Sequence, residues 1–296
     1  MDLFARSDLA CEAFGAENTH IEGVRWRVER VGDVTMRRLE ISGSSASEQL
    51  GKPCGVYLTL ECGKISDFDN EMTDRLVSLI AQKLSEMAER LCKRPIDSDF
   101  CVLVAGLGNA ELTADAIGPK TVQKLTATRH LRTYEAGLYH EIGCAALAAI
   151  APGVMGQTGM ETQEILRGAI MTVHPHVVLA VDALAARSCE RLAATVQISD
   201  VGICPGSGVG NARAALNAQT LGVPVIALGV PTVVDSSTLV YDALSLAGIE
   251  QRDPALERVL ENGRSFFVSP RESDMITEQF SSILAKAIGS VFTGDF

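Results

Sequence analysis

The chain has 296 residues, of which 47% are hydrophobic and 21% charged, ample for a large core in one or two domains. Its formal net charge of −11 argues against direct nucleic-acid binding, which needs clustered positive charge. No apolar run approaches the length of a membrane span and no charged-then-apolar leader opens the chain, so a cytosolic protein without membrane contact is expected.

The first twenty residues show no clear periodicity. "VRWRVERVG" and "VTMRRLEIS" read as strands, with Val24, Trp26 and Val28 alternating with Arg25, Arg27 and Glu29. Gly32-Asp33 between them suits a tight turn, and "CGVYLTLECG" reads as a third strand. From Asn70 to Lys93 the pattern turns helical, with Met72, Leu76, Ile80, Leu84, Met87 and Leu91 on one face and Pro95 just beyond the end.

Three nearly continuous apolar runs follow: "FCVLVAGLGN" (100–109), "VVLAVDA" (177–183) and "VPVIALGVP" (223–231). Runs that do not alternate are the mark of parallel strands covered on both faces. Helices are expected at 119–128, 160–172, 187–194, 236–247 and 274–288. "TGME" (158–161) has the form of a capping box with Thr158 as N-cap and Glu161 reaching back. No linker divides the chain. One α/β domain over 1–296 is expected, a three-layer α/β/α arrangement with a mostly parallel central sheet (phosphorylase/hydrolase-like) and extra N-terminal β-strands.

In such a sheet, ligands bind where loops leave the carboxyl ends of the strands. Asp115 lies in the loop after the first apolar run, before a helix expected to open with Pro119 at its first position. Asp182 closes the second run. If these strands are neighbours, the two carboxylates meet at one rim, and two close acids that share a proton give an acid and a base able to activate water. The spacing leaves a plainer alternative open, in which Asp115 caps a helix and Asp182 is held by Arg187. The loop "PGSGVGNAR" (205–213) has neither the Walker nor the dinucleotide pattern. Gly206, Ser207 and Gly208, with Arg187, are the candidate substrate contacts, because glycines let backbone amides approach a peptide; a structural turn explains them equally.

Ser188 and Ser207 lack a histidine in an evident partner context, which disfavours a Ser-His-Asp triad. Of the five histidines, His174 and His176 flank Pro175 at a strand entry and read as structural. His130 is the one candidate for a third metal ligand. The eight cysteines are scattered without C-x-x-C spacing, so free thiols are expected rather than disulfides or zinc.

Together, "VAGLGNAELTADAIGPKTV", "APGVMGQTGMET", "VVLAVDALAARS", "QISDVGICPGSGVGNAR" and "LGVPVIALGVPTVVD" resemble the germination protease family, the spore endopeptidases that degrade small acid-soluble spore proteins. The blocks cover most of residues 100–240. The resemblance implies an atypical aspartic-type peptidase, with Asp115 and Asp182 as its two catalytic aspartates and no cofactor. It also implies a homotetramer in the cytoplasm of the forespore or spore core. The family's fold is similar to that of hydrogenase-maturation peptidases, which share "GLGN" and "DAIG" but use a bound metal and a histidine; no obvious counterpart of that histidine is present. "RSDLACEA" (6–13) matches the region where family members remove their own propeptide. It looks like their substrate site, an acid, a large apolar residue, Ala and a second acid: Asp8, Leu9, Ala10 and Glu12. The implied self-cleavage is Asp8–Leu9, with a propeptide of about residues 1–8.

Overall fold

The computed structural model describes residues 7–14, 21–208, 213–249, 254–262 and 266–294. Its sheet is built from β1 (Val24–Val31), β2 (Val34–Ile41), β3 (Gly55–Glu61), β4 (Cys101–Gly106), β5 (Ala146–Ile150), β6 (Val177–Ala186), β7 (Thr195–Ser199), β8 (Val225–Asp235) and β9 (Phe267–Val268). The strand order is β1-β2-β3-β7-β8-β6-β4-β5, with β9 paired to the end of β8. The four strands β8, β6, β4 and β5 run parallel. From β8 through β7 and β3 to β1 every pairing is antiparallel. The N-terminal strands therefore extend the central sheet, and its parallel part is confined to β8, β6, β4 and β5.

Sequence periodicity decides which face each strand covers. Val177, Leu179 and Val181 of β6 join Val102 and Val104 of β4 and Ile226 and Leu228 of β8 in the largest core. That core is closed by the helices Asn70–Cys92 and Ser273–Phe292, through Leu76, Ile80, Leu84, Phe280, Leu284 and Ile288. On the opposite face, Leu166 of helix Thr162–Val173 packs against Leu103, Val178 and Ala180. Towards β2 and β3 the same face is covered by helix Ser44–Leu50 and by residues 9–14, which pack on Leu39, Ile41 and Tyr57 and on Leu184, Ala186 and Val234.

The hairpin turn is as read: Val31 pairs with Val34 across Gly32-Asp33, and Gly32 takes the left-handed φ of 60°. Other expectations shift. β6 does not end at Asp182 but runs four residues further, through a bulge at Leu184/Ala185 that keeps it on β8. That extension leaves no helix at 187–194; only a short 3-10 turn, Cys189–Arg191, forms, capped by the Ser188 side chain. The helix after Asp115 spans Ile117–Gln123, so Pro119 is its third residue, not its first, and the missing N–H is still one that a helix start leaves unpaired. The capping interaction belongs to Glu161 and Glu164: Glu164 accepts from the Glu161 N–H at 2.9 Å, while Thr158 ends the preceding helix Met155–Thr158.

Candidate functional site

Asp182 sits in the middle of a buried strand, 5% exposed. Its register partner on β8 is Gly229, which in turn pairs with Gln197 of β7. Residues in register share a face, so Asp182 and Gln197 project from the same side of the sheet with a glycine between them, on the order of 10 Å apart at two strand spacings. The Asp182 carboxylate accepts the Ala183 N–H at 2.9 Å. Its pKa is raised well above the ordinary 3.8, first by burial, then by the charges of Asp115 and Asp8.

Asp115 ends the short 3-10 turn Thr113–Asp115 that follows β4. This turn is pinned from two sides: Thr232 of β8 donates to the Ala114 carbonyl at 2.6 Å, and Thr277 donates to the Thr113 carbonyl at 3.0 Å. The Asp115 carboxylate accepts the Asn109 N–H at 2.8 Å rather than capping the next helix, which has no side-chain cap. Gly108, at φ 107°, lets the chain pass this close, since a Cβ there would lie 2.0 Å from the Asp115 carbonyl oxygen. Burial raises the Asp115 pKa, and the Asn109 N–H opposes the rise.

The chain's own N-terminal segment occupies the groove on the Asp182 face. Asp8 pairs with Ala185 of β6: its N–H donates to the Ala185 carbonyl, and its carboxylate accepts the Ala185 N–H, both at 2.9 Å. Ser207 donates to the other Asp8 oxygen at 2.6 Å, and Gly208 lies so close that a Cβ would stand 2.2 Å from the carboxylate. Leu9 is fully buried against Leu184, Ala186 and Val234. Ala10 is fully buried too, in one cluster with Phe14, Leu39 and Tyr57.

Glu12 has a side chain only 3% exposed. Its carboxylate takes the N–H of Arg187 at 2.8 Å and of Ser188 at 3.0 Å, the Arg191 guanidinium at 3.1 Å, and the Ser7 hydroxyl. Each element of the acid, apolar, Ala, acid pattern thus has its own complementary bed. The backbone between them is gripped as well. Lys52 Nζ donates to the carbonyls of Ser7 at 2.9 Å and Asp8 at 3.0 Å. Gln197 Nε2 donates to the Asp8 carbonyl at 3.2 Å, while its Oε1 accepts the Ala10 N–H at 2.7 Å. A cavity of about 740 Å³ opens alongside, lined by Asp8, Glu12, Lys52, Arg187, Gln197 and Ser207; neither Asp115 nor Asp182 lines it.

Of the candidate substrate contacts, Ser207, Gly208 and Arg187 thus all touch residues 8–12. Gly206 turns the loop at φ 73°, and residues 209–212 of that loop lie outside the described residues. Sequence reading passed over Lys52, Gln197 and Arg191, whose partners are 44 to 189 residues away. A local hint existed only for Gln197, as a polar residue alternating with Val196 and Ile198. Ser188 caps its own turn. His176 is structural, accepting the Cys101 N–H at 2.9 Å, and His130 lies in helix Arg129–Tyr134. Among the described residues no three His, Cys, Asp or Glu side chains gather as a metal-binding set, so His130 does not complete a site with the two aspartates. All eight cysteines are free, with Cys54 and Cys189 exposed. No described helix is long and apolar enough to cross a membrane.

A sequence model of the germination protease family matches residues 6–247. The germination protease of Clostridium acetobutylicum is 38% identical over 96% of this chain and 93% of its own length. That of Caldanaerobacter subterraneus subsp. tengcongensis is 36% identical, over 97% and 93%. The germination protease of Bacillus cytotoxicus is 38% identical, over 96% and 80%.

Proposed function

The chain belongs to the germination protease family, and from that premise we propose that it is a self-processing zymogen in which Asp115 and Asp182 act as a pair on the Asp8–Leu9 bond. Membership makes it a peptidase of spore germination; the bond, the catalytic groups and the substrate are the proposal's own content. The reading is carried by one observation: Asp8 is seated on β6 at Ala185, three residues along the strand from the buried Asp182, whose carboxyl feels the charge of Asp8 and is biased towards its protonated form.

Asp182, nearly excluded from water and facing two other acids, holds the shared proton. Asp115, stabilised as an anion by the Asn109 N–H, takes a proton from the attacking water. The water oxygen bonds to the Asp8 carbonyl carbon, the bond to the Leu9 nitrogen breaks, and a proton passes to the new Leu9 amine. In substrates, small acid-soluble spore proteins, a strand of acid, large apolar residue, Ala and second acid uses the contacts that residues 8–12 make here. Leu9 to Glu12 must first leave them, and the homotetramer is the form expected to do this work.

Incubating purified protein with a small acid-soluble spore protein tests the reading, with mass spectrometry on both. Wild-type protein is expected to cut after acids that match Asp8, and Asp115→Asn and Asp182→Asn are each expected to be inert on themselves and on the substrate while still folded. Full activity in either variant refutes the pair.

A further inference from the structure

We propose that Lys52 and Gln197 are catalytic residues of this site, forming the pocket that receives the negative charge developing on the carbonyl oxygen of the scissile bond. The inference rests on the reading that Asp8–Leu9 is the bond cut. Its own observation is separate from the aspartates: the Asp8 carbonyl oxygen accepts two side-chain donors from different elements, Lys52 Nζ at 3.0 Å and Gln197 Nε2 at 3.2 Å.

Both donors are held in place before any chemistry occurs. Lys52 follows Gly51, the left-handed residue that ends helix Ser44–Leu50 at φ 62°. The Lys52 N–H donates to the Ser47 carbonyl at 3.2 Å, and the Ser47 hydroxyl donates to the Lys52 carbonyl at 2.7 Å. Its ammonium is sunk beside the carboxylates of Asp8 and Glu12; burial lowers its pKa and these neighbours oppose the fall. Gln197 stands in the register row of Asp182. Its Oε1 is committed to the Ala10 N–H, which fixes the amide so that Nε2 faces the Asp8 carbonyl. One side chain thus spans the bond, holding the acyl side by its carbonyl and the leaving side through residue 10.

When water adds to the Asp8 carbonyl carbon, the C=O π electrons move onto this oxygen. An ammonium and an amide already aimed at it stabilise that charge without reorganising. The proton lost by the water goes to the aspartate pair and then to the Leu9 nitrogen as the C–N bond breaks; Lys52 keeps its own protons throughout. A lysine that merely clamped the segment would change affinity and leave turnover alone, so the split between kcat and KM decides.

The experiment uses the full chain and, as probe substrate, a synthetic peptide of residues 2–16. Lys52→Met and Gln197→Glu are expected to lower kcat on the peptide about a hundredfold or more, over and above any rise in KM from the lost contacts to Ser7 and Ala10, and to slow self-cleavage in step. In Lys52→Ala, added propylamine is expected to restore turnover at least about tenfold, since a free ammonium refills the vacated donor position. Melting curves show whether each variant is folded, and rescue of Lys52→Ala, which only a formed site can show, decides the matter if Lys52→Met does not fold. Wild-type cutting at Asp8–Leu9 with undiminished kcat in Lys52→Met, or a loss confined to KM, overturns the proposal and leaves the paired-acid reading standing. Wild-type protein that leaves Asp8–Leu9 whole overturns both.

Discussion

Two acids lie buried within a few residues of the same strand end, and the protein treats them in opposite ways. Around Glu12 it gathers two backbone amides, a hydroxyl and the Arg191 guanidinium, itself bridged to Glu61 at 3.2 Å. Around Asp182 it supplies one amide and two further carboxylates, Asp115 and Asp8. Both carboxylates are largely withdrawn from water: the Glu12 side chain is 3% exposed and Asp182 is a buried residue. Partners therefore decide what a buried acid does. A fully satisfied carboxylate is an anchor. One left among like charges holds a proton and is available for chemistry.

The sharpest way to break this contrast is to neutralise each acid without changing its shape. Asp182→Asn is expected to lower cleavage by about 10³-fold or more, yet to raise stability at neutral pH, because the raised pKa of the native acid is a cost to folding once the unfolded chain has ionised. Peptide turnover and chemical unfolding measured on the same sample check both. Loss of stability in Asp182→Asn would mean the acid is structural. The next effect belongs to the bed of Asp8: in Gly208→Ala the new methyl displaces the carboxylate and shifts the bond, slowing self-cleavage about a hundredfold, as followed by mass spectrometry.

Arg191→Met tests the anchor. Charged hydrogen bonds contribute about 1.5–3 kcal/mol, so a peptide carrying the second acid is expected to lose roughly 10- to 100-fold in KM with little change in kcat. A matching peptide with Gln at that position should be indifferent to the variant. A kcat effect there would place Arg191 in the chemistry instead.

The pH dependence follows from the raised aspartates. The folded pKa values of Asp182 and Asp115 lie above the ordinary 3.8, so the native state keeps protons that the unfolded chain has lost. Their contribution to stability is full below pH 3.8 and is lost as pH rises through the folded values. Unfolding free energy is expected to fall with rising pH across that window, and the slope to flatten in Asp182→Asn. Self-cleavage is expected to quicken as pH drops from neutral, while the pair gains its proton, and to slow again once Asp115 is also protonated. The smallest effect concerns acids left in water: Arg75, the surface partner of Asp33 at 3.3 Å and of Glu71, should change stability by no more than about 0.5 kcal/mol when replaced by Ala.

The same contrast explains what could be read from the residues alone. The parallel strands β4, β6 and β8 announce themselves as unbroken apolar runs, and the helix from Asn70 by its six-residue stripe, because burial on both faces or on one stripe leaves a local pattern. Asp115 and Asp182 stand out as acids in such surroundings. β5 is Ala-rich and β7 is five residues of mixed polarity, too short for periodicity to separate them from loops. The extension of β6 past Asp182 depends on pairing with β8 through a bulge, which no local signal encodes. The grip on residues 8–12 is less legible still. Lys52, Gln197 and Arg191 come from three separate elements, and their meaning lies wholly in contacts that form when the segment docks.

The most direct measurement is the N-terminal mass of the full-length protein and of Asp182→Asn after side-by-side incubation over a range of pH. Hydrolysis by the aspartate pair predicts that wild-type protein loses residues 1–8 and begins at Leu9, while the variant keeps its full mass. A variant trimmed to Leu9 at the wild-type rate would contradict it.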